Sequence, residues 1–161
     1  MDWNQLLNMQ NELDRHIESE HGLQDADLVD KKILALLVEL GELANETRCF
    51  KFWSKKAPSE QEVILEEYVD GIHFILSLGI DIGIRSIDEP EVLEEGDPTE
   101  EFLKVYSEVN RFSEERSIEN LLALFQQFLQ LGRVLGFKSE DIFKSYLKKN
   151  EVNYQRQQEG Y

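Results

Sequence analysis

Glu39, Glu42 and Glu46 fall at i, i+3 and i+7, and Glu67 and Asp70 fall at i and i+3, in the segments ELGELANE and EEYVDG. On a helix, at about 100° per residue, the first three project within one narrow sector. Like charges at that spacing repel, so either the face is fully solvated or something cationic compensates it. The second pair favours compensation. Asp70 lies in YVDGIHFILSL, residues 68–78, apolar on nearly every side, where a lone carboxylate is desolvated at heavy cost. No Lys or Arg occurs between Lys56 and Arg85, so the flanking sequence offers no counter-ion. A divalent cation shared by Glu39, Glu42, Glu67 and Asp70 satisfies all four, and hard oxygen ligands suit Mg²⁺ or Mn²⁺.

His73 and Phe74 follow Asp70 by three and four residues and flank the same sector. A histidine on an apolar helix is more often a hydrogen-bonded core residue than a ligand, so His73 is not assigned to the metal. Phe74 has a core reading too, although an aromatic beside an acidic site can also pack on a sugar or base. Two basic groups complete the set. Lys51, Lys55 and Lys56 bracket Trp53, and residues 138–161 carry net +1 in a chain of net −16. Metal on one side and Lys or Arg on the other is what a polyphosphate requires. Solubilising surface lysine explains the same residues without a ligand.

Long helices must position these groups. The only prolines, Pro58, Pro90 and Pro98, interrupt no periodic apolar segment, and the spacing predicts an all-α bundle of about five to six helices. Helical apolar spacing covers residues 2–19 and 28–48. Ser59 and Glu62 form a capping-box pattern opening a third helix to about residue 78. Residues 85–101, densely acidic with two prolines, read as a solvated, mobile loop. Further helices are predicted over 99–112, over 118–135 with Gly136 as left-handed cap, and from Ser139 to about residue 157. A loose resemblance between residues 74–82 and 128–137 hints at internal duplication.

Length and composition bound the function. With 161 residues, 41% of them apolar, the chain makes one domain with a core that needs no staples. Its charge argues against a nucleic-acid or anionic-membrane binder. A single cysteine, Cys49, excludes an intramolecular disulfide framework. The N-terminus lacks a signal-peptide pattern, the longest apolar stretch is interrupted by polar residues, and a cytoplasmic location is expected. There is no P-loop, no EF-hand loop and no Ser-His-Asp or Cys-His set.

Glu39-x-x-Glu42, followed after 24 residues by Glu67-x-x-Asp70, resembles the metal-binding signature of the all-α nucleoside triphosphate pyrophosphatases, the MazG-type superfamily. The blocks ELGELANETRCFKFWS, EEYVDGIHFILSLG and YLKKNEVNYQRQQEGY are similar to the dimeric dUTPase branch, and Gln10 in MQNELDRHI is similar to its uracil-side motif.

The resemblance implies a single domain, 1–161, with a four-helix pyrophosphatase core, homodimeric, whose residues 145–161 form a phosphate-binding tail that orders on substrate. It implies Mg²⁺-dependent conversion of dUTP, and also dUDP, to dUMP by metal-activated water attack, with Mg²⁺ on Glu39, Glu42, Glu67 and Asp70 and with Glu42 or Glu46 as base. Lys149, Asn153, Arg156 and Tyr161 are then phosphate contacts. Gln10, Trp53 and Asn150 are uracil-side candidates, with Lys55 and His73 also on the substrate side. Phe74 would pack on deoxyribose and exclude a ribose 2′-hydroxyl. The apolar third helix fits a dimer core. After Ile84 the chain departs from longer members, which carry insertions there, and this bears on lid closure and dimer details. Two other functions fit the residues: the same chemistry on dCTP or a modified nucleotide, and a non-enzymatic acidic helical protein that binds a partner through charge.

Overall fold

A computed structural model describes all 161 residues. Six helices follow in order: α1 (Trp3–Glu20), α2 (Val29–Thr47), α3 (Gln61–Asp81), α4 (Pro98–Glu114), α5 (Ile118–Val134) and α6 (Ser139–Gln158), with no strand. The all-α expectation holds. Hydrophobic burial makes α3 the axis of the bundle: it packs against α1, α2, α5 and α6, while α4 closes against α2 and α5. Tyr68, Val69, Ile72, Ile75 and Leu78 on α3 are fully buried within this one chain. Its apolar run is therefore explained without a second subunit, and the dimer-core argument from that run falls away.

Local chemistry sets the helix ends. Asp2, Asp97 and Ser117 accept the backbone N–H of Gln5, Glu100 and Asn120, and Pro98 stands in the first turn of α4, where its missing donor costs nothing. Gly136 (φ +93°) ends α5 as expected: the Phe137 N–H reaches Gly132 O and the Gly136 N–H reaches Arg133 O, a Schellman closure. The start of α3 differs from the capping-box reading. Glu60 is its cap and makes no side-chain cap bond, whereas the Ser59 hydroxyl donates to the Glu46 carboxylate across the α2–α3 connection.

Two segments expected to be loose are tied down. In the acidic connection after α3, Ile84 and Ile87 are buried, and the Gln130 side chain pairs with both the N–H and the C=O of Leu93. Residues 145–161 belong to α6 as far as Gln158, which packs along α1 and α3.

Candidate active site

Helices α2 and α3 bring the two acidic pairs face to face. One carboxylate oxygen each from Glu39, Glu67 and Asp70 lie within 4.8 Å of one another. Glu42 stands exposed at the rim, close enough to hydrogen-bond both Glu39 and Glu67. Burial, reinforced by Asp70, Glu42 and Glu67, pushes Glu39 up to about 8. Glu67 is pushed up to about 7, first by burial and then by Asp70 and Glu42, with Lys149 opposing. Desolvation also raises Asp70, against Lys149 and Arg156. Glu39 and Glu67 have no protein cation paired to them, and Glu39 Oε2 and Glu67 Oε2 are buried without any partner. The donor set fits a hard divalent cation.

Asp70 does have a cation, contrary to what its own stretch of sequence suggested. Lys149 Nζ lies 3.2 Å from Asp70 Oδ1, both side chains mostly buried. On α6, Lys149, Asn153 and Arg156 follow at i, i+4 and i+7, one face of the helix beside α3. Past the end of α6, Gly160 (φ +76°) turns the chain so that the Tyr161 N–H bonds Arg156 O and the Tyr161 ring lies 4.9 Å from the Arg156 guanidinium.

From the acidic end a cleft of about 310 Å³ runs between α1, α2, α3 and α6, lined by Glu39, Asp70, Phe74 and Arg156 among others. Its far wall is polar. Gln10 Nε2 donates to Asp14 Oδ1 (2.8 Å), the Ser77 hydroxyl donates to Asp14 Oδ2 (2.7 Å), and the Tyr146 hydroxyl donates to Gln10 Oε1 (2.8 Å). His73 Nδ1 lies 2.6 Å from that same Gln10 oxygen, and its ring stacks on Tyr146 at 4.1 Å. Burial, with Lys149 adding to it, pushes the His73 imidazole down to about 3. Desolvation raises Asp14, opposed by Ser77, Lys32 and Gln10.

A family model described as dUTPase matches residues 2–161, essentially the whole chain. The chain belongs to the dimeric dUTPase family. It is thus a nucleotide diphosphatase, a dUTP pyrophosphohydrolase, of a family that uses a divalent metal. No curated protein sequence matches it significantly.

Within this dUTPase the sequence-derived residues divide by place. Glu39, Glu42, Glu67, Asp70 and Lys149 converge at the acidic end. Gln10, His73, Phe74, Asn153 and Arg156 line the cleft, and Asn150 is buried one turn beyond Tyr146 with its Nδ2 unpartnered. Glu46 stands apart, its carboxylate engaged by Ser59. Trp53 (65% exposed) and Lys55 sit on the surface loop after α2, away from the cleft of their own chain, and Tyr161 reaches it only through Arg156. That loop is shaped by Arg48, a non-glycine residue at φ +57°, whose guanidinium donates to Lys56 O and Ser54 Oγ. Sequence reasoning missed Asp14, Ser77 and Tyr146. Spacing could have found the first two, each one helical turn from a residue already chosen: Asp14 after Gln10 and Ser77 after His73.

Proposed function

We propose that this dUTPase is Mg²⁺-dependent, with Mn²⁺ able to substitute, and that it converts dUTP to dUMP and pyrophosphate and dUDP to dUMP and phosphate. The observation that carries the reading is the pair of buried, unpartnered oxygens of Glu39 and Glu67 beside Asp70, with Lys149 paired to Asp70, at the end of a cleft whose wall carries Asn153 and Arg156. Glu39, Glu67 and Asp70 hold the cation, with Glu42 closing the set from the rim. When bound, the ion neutralises phosphate oxygens and lowers the pKa of a water.

The remaining work belongs to side chains. Glu42, exposed and with no cation paired to it, takes the proton from the attacking water, a role for which it is better placed than Glu46. Lys149, Asn153 and Arg156 align the phosphates and offset charge that builds on the leaving oxygen. Arg156 is held for this by Tyr161. Phe74 packs on the deoxyribose and leaves no space for a 2′-hydroxyl, and Gln10, His73 and Asn150 meet the uracil. The enzyme works as a homodimer, and the loop carrying Trp53 and Lys55 moves toward substrate on binding.

A substrate panel tests the reading. Purified protein with Mg²⁺ is expected to release pyrophosphate from dUTP and phosphate from dUDP while sparing dTTP, dCTP and UTP. Equal hydrolysis of dUTP in excess chelator sinks the metal assignment. Cleavage of UTP at the rate of dUTP sinks the role of Phe74.

A further inference from the structure

Asp70 is claimed twice. It stands in the carboxylate cluster that fits a divalent cation, and it is ion-paired to Lys149, whose Nζ lies 3.2 Å from Asp70 Oδ1 with both side chains mostly buried. Lys149 is claimed twice as well, since it shares one face of α6 with Asn153 and Arg156, the face assigned above to the phosphates. A carboxylate that takes a divalent ion is a poor partner for an ammonium, because two cations repel strongly at short range in a poorly solvated site. An ammonium held by a carboxylate is in turn unavailable to a phosphate. The two roles of Lys149 are incompatible at one moment and compatible in succession.

The surroundings allow that succession. Desolvation raises Asp70, and Lys149 counters it ahead of Arg156; the same ammonium counters the rise of Glu67, while Glu39 has no cation paired to it. One lysine thus offsets part of the charge of the cluster, a weaker substitute for a divalent ion. Its flexible four-carbon stem lets Nζ turn without any shift of the helix. There is space beside it. A recess of about 150 Å³ opens between α3 and α6, lined by Glu66, Ser145, Lys148, Lys149, Val152 and Arg156. Arg156 lines both this recess and the cleft, so the two meet at the guanidinium that the Tyr161 ring covers. Arg156 pairs with no carboxylate and can receive a phosphate at once, so Lys149 is the cation that has to be released first.

We propose that Lys149 is a stand-in cation: it holds Asp70 until a divalent ion takes that carboxylate, then turns to the substrate's phosphates, so that metal and nucleotide each ease the binding of the other. This rests on the reading above, in which Asp70 is a metal ligand and α6 faces the phosphates. The coupling is reciprocal, because the nucleotide that draws Lys149 away also frees Asp70 for the ion.

Mn²⁺ binding, followed by electron paramagnetic resonance of the free ion, tests the exchange with the non-hydrolysable α,β-imido analogue of dUTP as the nucleotide. The wild type is compared with Lys149→Met, which keeps most of the stem and loses the charge. Mn²⁺ alone is expected to bind Lys149→Met more tightly than the wild type. The analogue is expected to tighten Mn²⁺ in both proteins, since its phosphates are themselves ligands, but by about tenfold more in the wild type. Equal tightening in the two overturns the proposal, because a lysine that stays on Asp70 repels the ion to the same extent with or without nucleotide. Trace acetylation of the wild type, read by mass spectrometry, provides the second measurement. Lys149 is expected to be protected in chelator, labelled faster with Mg²⁺ alone, and protected again with Mg²⁺ and the analogue. Labelling that Mg²⁺ does not accelerate overturns the proposal as well, and it decides the matter if Lys149→Met does not fold. No Mn²⁺ bound to the folded wild type, with or without the analogue, sinks the metal site itself, whereas Mn²⁺ bound with equal tightening sinks only the exchange.

Discussion

Glu42 and Glu46 are one helical turn apart on α2, and only their surroundings tell them apart. Glu42 adjoins Glu39 and Glu67, whereas Glu46 receives the Ser59 hydroxyl and anchors the α2–α3 connection. Glu42→Gln is expected to lower kcat for dUTP by about 10²-fold or more, whereas Glu46→Gln, which can still accept from Ser59, should cost only a few-fold; steady-state kinetics with saturating Mg²⁺ separate the two. Removing a ligand acts differently. Mg²⁺ should raise the melting temperature of the wild type in proportion to the logarithm of its concentration, and Glu39→Gln or Asp70→Asn should abolish that rise in a thermal-shift titration. The acidic residues were legible because carboxylate spacing on a helix is visible in sequence. The cation beside Asp70 was not, since Lys149 comes from α6, 79 residues further along the chain.

His73 supplies a prediction whose sign can be fixed. Its folded pKa of about 3 lies below the ordinary 6.5, so between these values the unfolded chain takes up a proton that the native state does not. The stability it contributes is complete above pH 6.5 and is lost as pH falls toward 3. Glu39 and Glu67, raised to about 8 and about 7, act in the opposite sense: their contribution is complete below about 4.5 and is lost as pH rises through those values. The two trends overlap, so the informative quantity is a difference. Urea unfolding at pH 5 and pH 7 should give His73→Gln a smaller loss of stability on acidification than the wild type, by up to about 1.4 kcal/mol per pH unit. Identical slopes would remove His73 from the buried neutral state described here.

At the scale of elements, all six helices were readable in the sequence, and Gly136 closes α5 as expected, while Asp97 with Pro98 opens α4 and Ser117 opens α5 with the cap chemistry such residues favour. What failed was local pattern set against tertiary contact. Ser59 has the spacing of a cap, but an acceptor on α2 competes for its hydroxyl and wins. The acidic loop has the composition of a free segment, but Ile84, Ile87 and the side chain of Gln130 hold it. The meeting of α3 and α5 is likewise invisible in sequence. Tyr68 stacks flat on Phe128 at 4.5 Å and donates to its backbone oxygen, and Gly71 and Gly132 make room for the two rings. A Cβ at Gly71 would sit 2.5 Å from Phe128 Cζ, and one at Gly132 would collide with the Tyr68 hydroxyl. Gly71→Ala and Gly132→Ala should therefore each lower stability by about 1–3 kcal/mol in urea titrations despite the better helix propensity of alanine. A gain in stability for either would mean that α3 and α5 are not packed this closely.

For the whole molecule, the proposed homodimer needs a face other than α3, which spends its apolar surface inside its own bundle. The exposed apolar residues point to α2 and α4, which lie side by side on the outside. Leu34 (63% exposed) and Val38 (50%) stand one turn apart on α2, and Leu103 (64%) stands on α4. Exposed leucine and valine at helical spacing mark an interaction surface more than scattered single residues do. Val38 immediately precedes Glu39, so a partner seated there would stiffen the helix that carries the proposed metal ligand. The wild type is expected to run in light scattering at about twice its 18.9 kDa chain mass. Leu34→Lys combined with Val38→Lys should yield monomer that keeps its helical circular dichroism and loses dUTP turnover, because α2 is then held only by its own chain. A double variant that remains dimeric would move the interface to another face. One that becomes monomeric with full turnover would separate assembly from catalysis and confine the active site to a single bundle.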